Sequence, residues 1–196
     1  FFSSRRRHTR LLTVTGVQTC ALPILLIIQP RVFQDDRGYF FESWSKGEFI
    51  KDGIDVDFVQ DNQSLSHKGV LRGLHFQSPP FAQGKLVRVI KGAVLDVAVD
   101  IRRNSPTYGK HFAIELNEDN KIMFFIPPGF AHGFATLTDN TIFSYKCTAY
   151  YNKESEGTIL WKDNNLNINW LLDNPMISEK DKKGINFSEF QSPFYS

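Results

Sequence analysis

The stretch Val94-Leu95-Asp96-Val97-Ala98-Val99-Asp100 decides the fold class. In an extended chain successive side chains point to opposite faces, so Leu95, Val97 and Val99 share one face while Asp96, Ala98 and Asp100 share the other. The first face is wholly apolar and Ala98 interrupts the second, as expected of a strand enclosed on both sides in a small barrel with a ligand cavity. Asp96, between Val94 and Ala98, is predicted to point into that cavity. Asp100, beside Arg102 and Arg103, is expected on a solvated face. Outward from this strand the same texture repeats. Short β-rich runs fall at 26–28, 39–44, 58–65, 70–76, 85–91, 111–116, 121–126, 133–137 and 142–150, with turn residues between them. The Asn117–Asn120 cluster marks a hairpin turn. Only Ser45–Asp52, closed by Gly53, reads as a helix, with Ser45 as N-cap and Glu48 completing a capping box. Strands without recurring helices argue for an antiparallel sandwich or barrel and against a parallel α/β sheet.

Charge and cysteine content exclude several classes. The chain has 23 basic and 21 acidic residues, a net of +2. Arg5, Arg6, Arg7 and Arg10 all lie in the first 25 residues, and without them 19 basic residues face 21 acidic ones. The basicity therefore belongs to the leader, and the remainder carries no electrostatic argument for nucleic acid. Cys20 and Cys147 are too few for a disulfide framework and have no zinc-finger spacing, which fits a reducing, cytoplasmic setting. The longest apolar run, Ala21 to Ile28 around Pro23, falls well short of the roughly 20 residues a membrane-spanning helix needs. Residues 1–25 mimic a basic leader, but Thr13, Thr15, Gln18 and Thr19 break the apolar part. The segment resembles translated sequencing-adapter DNA and is set aside as a non-native or disordered leader, leaving 26–196 as a single domain.

The densest chemistry lies in Val70-Leu-Arg-Gly-Leu-His-Phe-Gln77 and Gly84-Lys-Leu-Val-Arg88. Downstream come Pro127-Pro-Gly-Phe-Ala-His-Gly-Phe134, Ser144-Tyr-Lys146, Tyr150-Tyr151 with Glu154 and Glu156, and Ser178-Glu-Lys-Asp181. Singly, each has a bland reading: His75 as a satisfied core histidine, Lys85 as a solvated strand residue, Tyr145 as a packing aromatic. Their order changes this. Together with Pro30–Ser43, Phe58-Val-Gln-Asp-Asn62 and Gly92–Arg102, these strings resemble the dTDP-4-dehydrorhamnose 3,5-epimerase family over almost the whole chain after residue 26.

The resemblance implies an all-β, cupin-like jelly-roll barrel with few short helices and the substrate cavity inside it. It implies a cofactor-independent isomerase acting on a dTDP-4-keto-6-deoxy sugar and inverting carbons 3 and 5. Such a reaction needs a base, an acid and a cation facing the enolate oxygen. By similarity these are His75, oriented by Asp181, then Tyr145 and Lys85. Arg37, Arg72 and Lys180 match binders of the diphosphate or its sugars. Glu42, Gln60, Asn62 and Glu156 match polar positions around the nucleotide, His132 and Asp96 match pocket residues, and Tyr150 or Tyr151 would stack on thymine. Lys146 would face away from Tyr145.

Four expectations complete the reading. Arg72 and His75 are three apart, so an unbroken strand would separate them, and a bulge at Gly73 is predicted to restore both to one cavity. The family is dimeric, which predicts a homodimer, and its first strand lies before Leu26, so residues 1–22 are expected to pack poorly. No metal is expected: His67, His75, His111 and His132 are isolated, without the paired histidines of metal-dependent barrels. The alternatives are an epimerase that inverts one carbon of a related keto sugar and a non-catalytic sugar-nucleotide-binding barrel. The second has no use for an acid–base set.

Overall fold

A computed structural model describes residues 14–19, 22 and 24–196. In chain order the strands and helices are β1 (Val14–Thr19), β2 (Leu26–Pro30), β3 (Phe33–Asp35), β4 (Gly38–Phe40), α1 (Lys46–Lys51), β5 (Gln60–Ser66), β6 (Leu71–Gln77), β7 (Lys85–Lys91) and β8 (Ala93–Asp100). They continue as β9 (Arg102–Arg103), β10 (His111–Asn117), β11 (Met123–Ile126), β12 (Phe130–Thr136), β13 (Thr141–Cys147), β14 (Glu156–Thr158), α2 (Glu179–Lys182) and β15 (Phe194–Tyr195). One sheet has the order β1-β2-β11-β7-β13-β5 and a second β10-β8-β12-β6-β14. Every pairing within these two sheets is antiparallel. The expected all-β jelly roll is the fold found.

Side-chain alternation explains the layers. From β8, Leu95, Val97 and Val99 enter an apolar cluster on the outer face of their sheet, covered by Ile159, Leu166, Trp170 and Phe194 of the C-terminal segment. Val94 and Ala98 point the other way, into an interior shared with Val87, Val89, Phe124 and Phe143 of the opposite sheet. The outer face of that opposite sheet carries Ile28, Leu86, Met123 and Phe125 against Phe49 and Ile54. Fully burying a side chain of this size contributes about 1.5–3 kcal/mol, so both sheets are held from both sides.

Several expectations need correction. Asp100 is completely buried. It binds Arg102 through both oxygens and accepts from Ser105 and Thr107 hydroxyls, so the neighbouring arginine compensates the carboxylate instead of marking solvent. The strand predicted over 39–44 stops at Phe40, because Trp44 turns inward against Phe49 and Phe58. In α1 Ser45 gives no side-chain cap, and Glu48 is paired with Lys51. A second helix, α2, is one of the few short helices that the resemblance implied, although the residue pattern marked only the first. Residues 1–22 were expected to pack poorly; of those described, 14–19 form β1 paired with β2, and Leu22 is buried in the interior cluster. Residues 1–13 lie outside the described residues. Among the described residues no helix is long and apolar enough to cross a membrane.

Candidate active site

At one end of the interior the apolar filling gives way to a cavity of about 570 Å³, joined by a second of about 310 Å³. His75, Lys85, Tyr145 and Glu156 line both. Strand β6 sets the geometry. Its partner β12 pairs His132 with His75 and Phe134 with Arg72, so Gly73 and Leu74 together oppose the single residue Gly133. This is the predicted bulge. It sends Leu71 and Leu74 to the outer cluster while Arg72 and His75 both reach the cavity. Gly73 sits at φ +127°, and a Cβ there would lie 2.5 Å from the Gly133 Cα, so both the torsion and the close strand approach require glycine.

The bulge also frees a donor. The Gly73 amide N–H reaches Asp181 Oδ2 at 3.4 Å, while Asp181 Oδ1 lies 2.6 Å from His75 Nε2. Asp181 is presented by α2, whose N-cap Ser178 accepts the Asp181 amide N–H through its hydroxyl at 3.1 Å. Ser178, the first residue of the SEKD string and three before Asp181, is therefore a helix signal that sequence reading passed over. Burial pushes the Asp181 carboxyl up, but the His75 contact and the Gly73 and Ser178 hydrogen bonds outweigh it and leave the group below the usual carboxylate range.

The opposite sheet supplies the remaining polar groups. Lys85 from β7 stands 6.0 Å above the Tyr145 ring of β13. Burial depresses the Lys85 ammonium, with only partial compensation from Cys147, Asp96 and Glu156. Burial raises the Tyr145 phenol, which therefore stays protonated at neutral pH. Arg72 donates through Nε to Ser66 Oγ at 3.3 Å. Lys180 pairs with Glu156 at 2.7 Å, and the Tyr151 hydroxyl donates to the other Glu156 oxygen at 3.2 Å. Gln60, Asn62 and Tyr151 line the smaller cavity, whereas Tyr150 is exposed and takes no part in either lining. Lys146 faces out of the sheet to pair with Asp61, as the alternation required.

Three predicted site residues lie elsewhere than expected. Asp96 is fully buried and does not line either cavity; its carboxylate accepts from His132 Nε2, and the imidazole occupies the wall in front of it. Arg37 sits in the β3–β4 hairpin, 89% exposed and bound to Asp35. Glu42 follows that hairpin and lines neither cavity. The reason is topological: β3 and β4 pair only with each other, so the hairpin stands apart from both main sheets. Sequence reading also missed Ser64, Phe134, Phe143 and Ile177 in the lining. Their alternation with outward residues on β5, β12 and β13 was the available signal for the first three.

A jelly roll whose interior brings a His–Asp dyad, a half-buried lysine and a protonated phenol around one cavity defines an acid–base enzyme of the cupin class. The dTDP-4-dehydrorhamnose 3,5-epimerase family profile matches residues 19–189. A dTDP-4-dehydrorhamnose 3,5-epimerase from Shigella flexneri is 52% identical over 167 residues, spanning 85% of this chain and 92% of that protein. The structure of a dTDP-6-deoxy-D-glucose-3,5-epimerase from Legionella pneumophila, in complex with dTDP-4-keto-L-rhamnose, superposes with a TM-score of 0.89 at 44% identity, over 92% of this chain and 98% of that one. A 3'-monoepimerase from Streptomyces bikiniensis, in complex with dTDP-quinovose, reaches a TM-score of 0.83 at 28% identity over 87% of each chain. The chain belongs to the dTDP-4-dehydrorhamnose 3,5-epimerase family.

Proposed function

We propose that this protein inverts carbons 3 and 5 of dTDP-4-dehydro-6-deoxy-D-glucose to give dTDP-4-dehydro-L-rhamnose, using side chains alone for the acid–base steps. One observation carries the reading: His75 stands on one sheet and Tyr145 on the other, with Lys85 beside the tyrosine and the cavity between. Inversion requires a proton to leave one face of the sugar and another to arrive at the opposite face, and groups on opposed sheets suit that demand. His75 Nε2 is committed to Asp181, which leaves Nδ1 as the ring nitrogen that takes the proton on carbon. The electron pair moves into an enolate whose oxygen faces Lys85. The Tyr145 phenol then gives its proton to the other face and regains one from solvent.

The nucleotide end falls to the smaller cavity, where Gln60, Asn62 and Glu156 offer polar contacts and Tyr151 a flat ring. Arg72 and Lys180 supply cations for the diphosphate. Arg37 and Glu42 act from a second copy of the chain in a homodimer. The β3–β4 hairpin that precedes Glu42 supports this, since it leaves Tyr39 and Phe40 more than half exposed. A cytoplasmic setting is part of this reading, supported by two cysteines too few for a disulfide framework. Inversion at one carbon only is the second reading, favoured by the similarity to the 3'-monoepimerase.

The test is incubation with dTDP-4-keto-6-deoxyglucose in heavy water, followed by NMR of both flanking carbons. Inversion with deuterium at both sites is expected, and inversion at one alone selects the second reading. His75→Ala removes enolate formation, so deuterium enters neither carbon, a loss on the order of 10²–10⁴ in rate. Tyr145→Phe leaves base and lysine intact, so exchange persists while inversion falls. Substantial exchange in His75→Ala would overturn the base assignment, and equal loss in both variants would make Tyr145 a positioning group.

A further inference from the structure

Past Cys147 the β13 ladder ends, and the backbone that follows is held by side chains instead. Gln83 Nε2 donates to the Ala149 carbonyl at 2.7 Å, and Gln77 Nε2 donates to the Tyr150 carbonyl at 3.1 Å. Gln60 Oε1 accepts the Tyr151 amide N–H at 2.9 Å, and Gln77 Oε1 accepts that of Asn152 at 2.8 Å. Four successive residues are therefore each bonded to a glutamine, and among the described residues none of these four groups bonds to another backbone group. The glutamines converge from separate elements: Gln60 from β5, Gln77 from the end of β6, and Gln83 from the loop before β7.

Gln77 is the centre of this clamp. It is 5% exposed, and Nε2 also donates to the Phe81 carbonyl at 2.7 Å, so both amide hydrogens and the oxygen are engaged. That pattern fixes which way the amide points, since the flipped form would set its oxygen against two carbonyls. Across the ladder its partner on β14 is Glu156, whose carboxylate accepts the Tyr151 hydroxyl at 3.2 Å. Tyr151 is thus flanked by Gln77 bonds along the backbone and held by Glu156 at its hydroxyl, although it is more than half exposed and lines the smaller cavity. A ring held in place before a ligand arrives loses less freedom when the ligand stacks on it. We propose that Gln77, assisted by Gln60 and Gln83, is a positioning residue that holds the Tyr151 ring ready to stack on a nucleotide base and so sets nucleotide affinity. The nucleotide rests on the epimerase reading; the clamp does not.

The probe is dTDP, titrated by calorimetry, with steady-state kinetics on dTDP-4-keto-6-deoxyglucose beside it. Gln77→Met keeps the length of the side chain but removes its hydrogen bonds, and should weaken dTDP binding roughly three- to tenfold. KM for the keto sugar should rise by a similar factor while kcat stays within about twofold, because the Gln77 side chain bonds none of His75, Lys85 and Tyr145. In a Tyr151→Ala background the same substitution should change dTDP affinity by less than about twofold, the non-additivity expected of a residue that acts through another. Unchanged dTDP affinity, a fall in kcat as large as the rise in KM, or full additivity with Tyr151→Ala overturns the proposal. Should Gln77→Met fail to fold, Gln83→Met frees only the Ala149 carbonyl and should give a smaller loss of dTDP affinity with the same non-additivity. No loss there, or an additive one, overturns the proposal equally. A wild-type protein that binds dTDP and inverts neither carbon would defeat the epimerase reading alone.

Discussion

His75 and His132 are cross-strand partners on β6 and β12, and each bonds an aspartate through Nε2, yet their surroundings differ. The His75 side chain is 25% exposed and Asp181 3%, whereas His132 is 7% exposed and Asp96 not at all. Asp181 arrives from a short helix more than a hundred residues downstream and rests on hydrogen bonds from the Gly73 amide and within its own cap. Asp96 comes from a neighbouring strand of the same sheet. Both imidazoles line the same cavity, and the first is the more exposed of the two. The second is the more enclosed, and burial holds it below its ordinary value of 6.5. The same pair of residue types thus meets two different surroundings, with burial the largest difference between them.

The largest effect that tests this division is expected from Asp181→Asn. It preserves volume but removes the charge that steadies the His75 imidazolium, and a carboxylate in that role is worth up to about 10⁴ in kcat. Solvent deuterium exchange at both carbons should fall on that scale, while Asp96→Asn should retain far more exchange. Equal losses in the two asparagine variants would erase the distinction.

Gly73→Ala probes the bulge that brings Arg72 and His75 together. A Cβ at φ +127° and 2.5 Å from Gly133 Cα combines backbone strain with a backbone clash, so a loss of about 2–4 kcal/mol in denaturant unfolding is expected. Gly38→Ala has a similar φ but open space around it, and should cost distinctly less. Matching losses would show that torsion, and not the strand contact, sets the requirement.

A smaller effect concerns pH. The folded state holds His132 below its ordinary value of 6.5. Below that pH the unfolded chain therefore binds more protons than the folded one, and stability present above about 6.5 declines as pH falls. The lowered Asp181 carboxyl adds a second decline at lower pH, below its ordinary 3.8 and through its folded value. Urea midpoints from pH 8 to 3 should show both phases. His132→Gln should shrink the upper one to the part owed to His111, which burial also holds below 6.5, and leave the lower; an unchanged upper phase would assign it to other groups.

Much of this was readable from the chain before folding. Period-two alternation in Val94–Asp100 and the runs around it fixed an enclosed antiparallel fold, because side-chain direction in a strand depends only on position along it. The ordered strings around His75, Lys85, Tyr145 and Asp181 carried the family and its site. Even the bulge at Gly73 could be inferred, since Arg72 and His75 could not otherwise share a face. What the sequence left open depends on partners distant along the chain. Asp100 looked solvated because nothing local shows that Arg102, Ser105 and Thr107 fold back to bury it. Arg37 and Glu42 looked like members of the cavity, yet a hairpin that pairs only with itself carries the first and leads into the second, away from both linings. Local pattern determines which face a residue occupies, but only tertiary packing decides what covers that face, and here that decided which aspartate meets the more exposed imidazole and which the enclosed one.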